Sequence, residues 1–291
     1  MNNGLNGMAS PTPCAPTVMD QNNLVFNTDH VVREYRRNAV LNGGFLDAGE
    51  RSALLEAAPT VRNQPILDVG VGTGRTTPLL QLLSDDYLAV DYAPEMVAAF
   101  CTHHPGVRCE CQDARDLHRY PDASFGLIVF SNNAIDAVSH DDRLVILREF
   151  RRLLKPDGRV IFSTLNMRGP TCGEHPMQLT RPTRPLKLDA KERIRSLGKR
   201  ALNPKSFARA VRGWQRNHRL AVDHETWAVG PMAAHDYQLM VHFTTLVDLF
   251  DLAEQAGLRI LTIYTESGVP ITCDQEEYGV DNFNVVAAQS N

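Results

Sequence analysis

Residues 66–75 read Ile66-Leu67-Asp68-Val69-Gly70-Val71-Gly72-Thr73-Gly74-Arg75. The apolar pair Ile66 and Leu67 predicts a short buried strand, and Thr76 to Leu83 resumes as an apolar helix. A strand that ends in a glycine-rich turn and feeds a helix is the ligand-binding end of an open α/β sheet. Glycine is needed there because the backbone turns tightly and lies against the ligand with no Cβ between them. The dinucleotide fingerprint requires its third glycine where Arg75 stands, and it lacks a carboxylate as early as Asp68. A negative charge at this point suits a positively charged cofactor better than a pyrophosphate, which favours S-adenosylmethionine (SAM).

Working outward, Tyr87-Leu88-Ala89-Val90 is a second apolar run and ends at Asp91. An acidic residue at the end of the second strand is placed to accept from two ribose hydroxyls. A third run, Val107 to Cys111, leads to Asp113 and Ala114, where the carboxylate can accept from an adenine amine. Residues 125–130 make a fourth strand followed by Ser131-Asn132-Asn133. A helix then closes on the turn Lys155-Pro156-Asp157-Gly158, and Arg159 to Thr164 form a fifth strand.

On these residues, Asp68 with Gly70, Gly72 and Gly74, then Asp91, Asp113 and the turn at 153–158, the chain resembles the class I SAM-dependent methyltransferases of the small-molecule, bacterial type. The resemblance rests on motifs over about residues 60–165 and on pattern alone over 240–290. It implies a Rossmann-like α/β fold whose seven-stranded sheet has strands 1–6 parallel and strand 7 antiparallel between the fifth and sixth. It also implies an N-terminal helical cap and a helical lid insert. The expected division is a loose tail at 1–22, a helical cap at 23–60, the cofactor-binding core at 61–165, a basic lid at 166–234 and the rest of the core sheet at 235–291. Leu258 to Thr265 and Asn284 to Ala288 are read as the last two strands, with Thr244 capping the helix before them.

The same resemblance sets the expected cofactor site. The loop Gly70, Gly72, Thr73 and Gly74 approaches the methionine portion, Asp68 lies near its ammonium, and Asp91 takes the ribose. Tyr92 and Met96 pack against adenine, Asp113 and Ala114 hold its edge, and Ser131 and Asn132 complete the wall. Tyr35, in the cap, either closes over the carboxylate end or simply packs the cap onto the sheet. For the acceptor, Asn133, His235 and Tyr237 are the candidates for positioning or general-base work.

Composition bounds the alternatives. Charged residues are 22% and the formal net charge is −4, which argues against a nucleic-acid partner. No apolar run reaches a membrane-spanning length of about 18 residues. No secretory signal is read at the N-terminus, so a reduced, cytoplasmic setting is expected. Six cysteines are scattered, and Cys109-Glu110-Cys111 reads as alternate strand positions rather than a metal pair. Asp136 stands alone after the fourth strand, so no metal is expected. The insert 166–234 carries 14 Lys and Arg against 5 Asp and Glu, with helices expected near 189–200 and 204–219. It reads as a solvated lid or as a face for an acidic partner.

Chemically, these features point to SAM-dependent methylation of O or N on a small molecule, in bacterial secondary metabolism. Three other readings stay open. One is a SAM cyclase or lyase of the azetidine-2-carboxylate synthase type, which releases methylthioadenosine; another is an RNA or protein methyltransferase docking through the basic insert; the third is a SAM-binding regulator without catalysis. DNA amino-methyltransferase and cytosine-methyltransferase motifs are missing from the expected positions.

Overall fold

The computed structural model describes residues 18–41, 46–177, 204–272 and 278–290. A seven-stranded sheet forms the centre: β1 (Ile66–Val69), β2 (Tyr87–Asp91), β3 (Cys109–Cys111), β4 (Phe125–Phe130), β5 (Leu154–Leu165), β9 (Leu258–Thr265) and β10 (Asn282–Gln289). Its order is β3-β2-β1-β4-β5-β10-β9, with β10 antiparallel to both neighbours and the rest parallel. All residues of β1, β2 and β4 are buried, because helices cover both faces of a parallel sheet. That is why these strands read as unbroken apolar runs.

Among the described residues three helices precede the sheet: α1 (Val18–Phe26), α2 (Asp29–Leu41) and α3 (Ala48–Val61). Helix α3 starts with a capping box, in which Asp47 accepts from Glu50 N–H at 2.7 Å and Glu50 Oε2 accepts from Asp47 N–H at 2.9 Å. Crossovers are made by the short α4 (Thr77–Leu80), by α5 (Pro94–His103) and by α6 (His140–Leu153), which buries Ile146, Leu147, Phe150 and Leu153 on the sheet. Its cap Ser139 accepts from Asp142 N–H, and Arg151 and Arg152 face the negative end of the helix dipole. After β5 come α7 (Pro204–Asn217), a second, antiparallel sheet of β6 (Val222–Asp223), β7 (Trp227–Pro231) and β8 (Met240–Thr244), and then α8 (Leu246–Gln255).

Several expectations change. Residues 18–22 begin helix α1 rather than belonging to a loose tail. Asn22 is fully buried and donates to Ala137 O at 2.8 Å and Met240 O at 2.7 Å, so long-range bonds fix a segment whose composition is polar. The insert is not only helical, and residues 240–244 leave the core sheet to pair with β7 in the small one. The expected helix 76–83 ends at Leu80, and the Thr76 hydroxyl donates to Asp68 instead of capping it. Thr245, not Thr244, caps α8, because its side chain accepts from Asp248 N–H. The helix expected at 189–200 lies outside the described residues.

Candidate active site

The strand order turns from β1 to β4 at the centre of the sheet, and the crevice beyond the carboxyl ends of those strands is where open α/β sheets bind ligands. A cavity of about 540 Å³ sits there, a size typical of ligand sites. Its floor is the loop after β1. Gly70 and Gly72 take φ of +61° and +57°; a Cβ at Gly70 would meet the Phe130 ring at 2.9 Å, whereas one at Gly72 would meet only the Tyr35 ring, at 3.9 Å, so the backbone at Gly72 lies bare toward the cavity. Gly72 N–H donates to Asp91 Oδ2 at 2.8 Å and Ala93 N–H to Asp91 Oδ1 at 2.9 Å. The carboxylate at the end of β2 therefore ties the glycine loop to the start of α5. Burial pushes its carboxyl up to about 6, against the pull of those backbone donors.

Asp68 is also buried. Its Oδ2 accepts from Thr76 Oγ1 at 2.5 Å and Tyr87 Oη at 2.7 Å, and burial outweighs both to raise its carboxyl to about 6. Asp113 lies at the cavity edge beside Ala114, with both oxygens engaged by Arg115 at 2.8–3.2 Å. Tyr92 and Met96 form the neighbouring wall; among the described residues the buried Tyr92 hydroxyl has no partner, and burial raises it well above the usual phenol range.

At the other side of the loop, Arg75 makes a two-pronged pair with Glu50, Nη2–Oε1 2.6 Å and Nη1–Oε2 2.8 Å. Ser131 Oγ donates to Glu50 Oε1 at 2.6 Å, and Asn132 N–H donates to the same oxygen at 3.2 Å. Burial pushes the Glu50 carboxyl up, but Arg75 and Ser131 more than offset it and hold it below the usual carboxylate value. Asn132 and Asn133 both adopt left-handed backbone (φ 57°), and Asn133 N–H donates to Ser163 Oγ on β5 at 2.7 Å. Among the described residues the buried Asn133 side-chain oxygen has no hydrogen-bond partner.

The roof brings cap and insert together. Tyr35 of α2 stacks on His235, ring centroids 5.6 Å apart and 14° from parallel, and burial with the nearby Asp91 carboxylate raises its phenol to about 12. His235 Nδ1 lies 3.1 Å from Glu34 Oε2. His235, Asp236 and Tyr237 are three successive non-glycine residues at φ of 53°, 57° and 59°. Each such residue stores strain of order 1–3 kcal/mol and persists only where its surroundings hold it. Helix α7 supplies that hold. Arg209 Nε and Ser206 Oγ donate to Asp236 at 2.9 and 3.0 Å, and Asn217 Nδ2 donates to Tyr237 O at 2.9 Å and Gln238 O at 3.1 Å. Gly213 of α7 is needed for the approach, since a Cβ there would lie 2.3 Å from Asp236 O.

Most of the residues expected from sequence thus line one cavity: Tyr35, Asp68, Gly70, Gly72, Thr73, Asp91, Tyr92, Met96, Asp113, Ala114, Ser131, Asn132, Asn133 and His235. Two do not. Tyr237 is buried against α7 outside the cavity wall, because the left-handed turn carries only His235 to the cavity. Gly74 is also off the wall; its φ of +93° and the His104 ring, 2.1 Å from where a Cβ would stand, explain its glycine. Glu34, Glu50, Arg75 and Asn22 were not anticipated. The spacing Asp47-x-x-Glu50 is a capping-box signal that was available for one of them.

Elsewhere, His140, His242 and Asp248 bring their ligand atoms within 4.8 Å of one another. The Arg143 guanidinium lies 3.5 Å from His242 Nε2 and 3.4 Å from Asp248 Oδ2, so a cation already occupies the charge balance of this group. It reads as a buried ionic network with Asp136, whose carboxyl burial raises to about 7 despite Arg143. Among the described residues no helix is long and apolar enough to cross a membrane.

Residues 67–162 match the family described as a methyltransferase domain. A malonyl-[acyl-carrier protein] O-methyltransferase of Halorhodospira halophila is 40% identical over 118 residues, 38% of this chain and 39% of that protein. A ubiquinone biosynthesis O-methyltransferase of Xanthomonas oryzae pv. oryzae is 32% identical over 106 residues, 35% of this chain and 43% of that protein. The similarity thus spans less than half the length of either relative. Among solved structures, the 1,6-didemethyltoxoflavin-N1-methyltransferase of Burkholderia thailandensis, with 1,6-didemethyltoxoflavin and S-adenosylhomocysteine bound, superposes with a TM-score of 0.55. The match covers 98% of this chain and 94% of that one at 15% identity, a likeness of fold.

Proposed function

We propose that this protein transfers the SAM methyl group to an oxygen or nitrogen of a small molecule, in bacterial secondary metabolism; the match of residues 67–162 to a methyltransferase domain and the shared fold support the reading. The observation that carries the reading is the carboxylate-rich cavity at the switch point, with bare glycine backbone on its floor. Its described wall holds the acids Glu34, Asp47, Glu50, Asp68, Asp91 and Asp113 against the single guanidinium of Arg75. Such a wall fits a ligand carrying sulfonium and ammonium charges, and Arg75 supplies the one counter-charge suited to its carboxylate.

SAM supplies a methyl group already activated on sulfonium, so the hard chemistry comes with the cofactor. The chain's own residues hold, orient and deprotonate. Asp91 accepts from the ribose hydroxyls while keeping the glycine loop closed, and Tyr92 and Met96 flank the base. Asp113, steadied by Arg115, faces the adenine edge. Ser131 and Asn132 sit on the Glu50–Arg75 pair next to the methionine end. Holding both reactants in line supplies several kcal/mol of the barrier. Glu34 keeps His235 oriented through Nδ1, leaving Nε2 to take the proton released by the acceptor.

The O-methyltransferase names of the relatives and the N1-methyltransferase name of the fold neighbour support O or N as the reacting atom. The apolar part of the cavity lining, Val138, Ile146, Leu165, Leu239 and Val241 among it, favours a separate acceptor over intramolecular SAM chemistry. The test is calorimetric titration with S-adenosylhomocysteine. Micromolar binding lost in Asp91→Ala supports the reading, and no binding by the wild-type protein refutes it.

A further inference from the structure

Resting on the methyl-transfer reading, we infer that the acceptor is a neutral molecule with an apolar body and an O–H or N–H donor at or beside the reacting atom, not a carboxylate or phosphate.

The charge on the cavity wall argues first. Six carboxylates line it among the described residues, and Arg75 is shared between Glu50, at 2.6 and 2.8 Å, and the cofactor's own carboxylate, so it is not left for the acceptor. An anion entering this wall would be desolvated beside like charge with no uncommitted guanidinium or ammonium in the described lining to receive it, which is costly in a low-dielectric site. A protonated amine would find acidic company but has no lone pair with which to attack carbon. A neutral nucleophile meets neither obstacle.

The shape of the wall argues second. The cavity is also bounded by Ala137, Val138, Ile146, Leu165, Leu239 and Val241, drawn from the loop after β4, α6, β5, the approach to β8 and β8 itself. These elements belong to the core and to the small sheet, so the apolar surface is built into the fold. Ligand pockets of this kind hold apolar bodies and fix them with few polar groups.

Asn133 is that polar group. It lines the cavity, and among the described residues its buried side-chain oxygen has no partner, a state that native proteins rarely leave without a purpose. Its backbone is pinned to Ser163 Oγ at 2.7 Å, which sets where the amide sits. An amide oxygen accepts and does not donate, so it selects an acceptor that still bears hydrogen. During transfer the nucleophile's lone pair bonds to the methyl carbon, the carbon–sulfur pair returns to sulfur, and the acceptor's proton passes to His235 Nε2.

A matched set of probes isolates charge from shape: 2-naphthol, 2-naphthoate and 2-naphthyl phosphate, titrated into the protein saturated with S-adenosylhomocysteine. The inference expects 2-naphthol to bind at least tenfold more tightly than either anion. It also expects Asn133→Ala to weaken 2-naphthol by about three- to tenfold, the worth of one hydrogen bond, with S-adenosylhomocysteine affinity within twofold. Equal or tighter binding of naphthoate or naphthyl phosphate overturns it, and so does failure of all three to bind the loaded protein. Failure of S-adenosylhomocysteine itself to bind is a separate outcome that refutes the cofactor reading.

Discussion

Replacing Asp91 by Ala separates cofactor recognition from folding, and the structure gives both magnitudes. Asp91 is buried, and its carboxyl is raised from 3.8 to about 6, so the folded protein holds the ionised form at a cost of about 3 kcal/mol. A folded pKa above the unfolded one means that stability falls as pH rises from about 4 to 6; the penalty is complete above pH 6 and relieved as the group protonates. Truncation removes that penalty but strands the N–H groups of Gly72 and Ala93, at about 1–3 kcal/mol each. The two effects nearly cancel, and the melting temperature of the ligand-free protein is expected to move by only a few degrees. The cofactor, by contrast, loses two hydrogen bonds to a charged acceptor, each worth about 1.5–3 kcal/mol. Its Kd is therefore expected to rise at least ~100-fold. Wild-type affinity should also decline by up to about tenfold per pH unit below 6, as Asp91 takes up a proton, and Asp91→Ala should flatten that slope. Calorimetry with S-adenosylhomocysteine between pH 5 and 8, together with thermal melts, reads both quantities. A variant that binds within threefold of wild type refutes the reasoning.

Three further outcomes are expected. His235→Ala should lower kcat by about 10²–10⁴-fold while S-adenosylhomocysteine affinity stays within about threefold, and Glu34→Gln should lower kcat less; an unchanged kcat in His235→Ala would remove His235 from the mechanism. Arg143→Met leaves the buried Asp136 and Asp248 without their shared cation, at about 3–5 kcal/mol by chemical denaturation. Because the Asp136 carboxyl is already raised to about 7, that loss should be largest above pH 7 and shrink as the pH falls below it; a pH-independent loss would contradict the assignment. Gly49→Ala would set a Cβ 2.2 Å from Thr265 O and 2.3 Å from Asn284 Nδ2, so overpacking should cost about 1–3 kcal/mol or more. A melt of Gly49→Ala that overlays the wild-type curve would show that α3 shifts freely off the sheet.

What the sequence showed and what it hid divides along the range of the interactions. β1, β2 and β4 were legible because strands buried on both faces are continuous apolar runs, and the loop from Gly70 to Gly74 because its function is local backbone geometry. Asp91 was legible for the same reason, as it sits at the end of a readable strand. The Glu50–Arg75–Ser131 group was not, because its members are 25 and 81 residues apart in the chain and none carries a motif for the others. His235 was found as a lone histidine, but its partner Glu34 is 201 residues away and its neighbour Tyr237 turns out of the cavity. Helix α1 looked like tail because its ordering residue, Asn22, is polar and bonded to chain 115 and 218 residues distant. The small sheet escaped notice because β6 is two residues long and β8 follows a strained turn that no propensity describes.

The most direct test of the central claim is to incubate the purified protein with SAM, with and without 2-naphthol, and to identify the nucleoside formed by mass spectrometry. SAM that stays intact alone and gives S-adenosylhomocysteine with methylated naphthol is the predicted result. Methylthioadenosine formed from SAM with no acceptor present would contradict methyl transfer and establish intramolecular chemistry in its place.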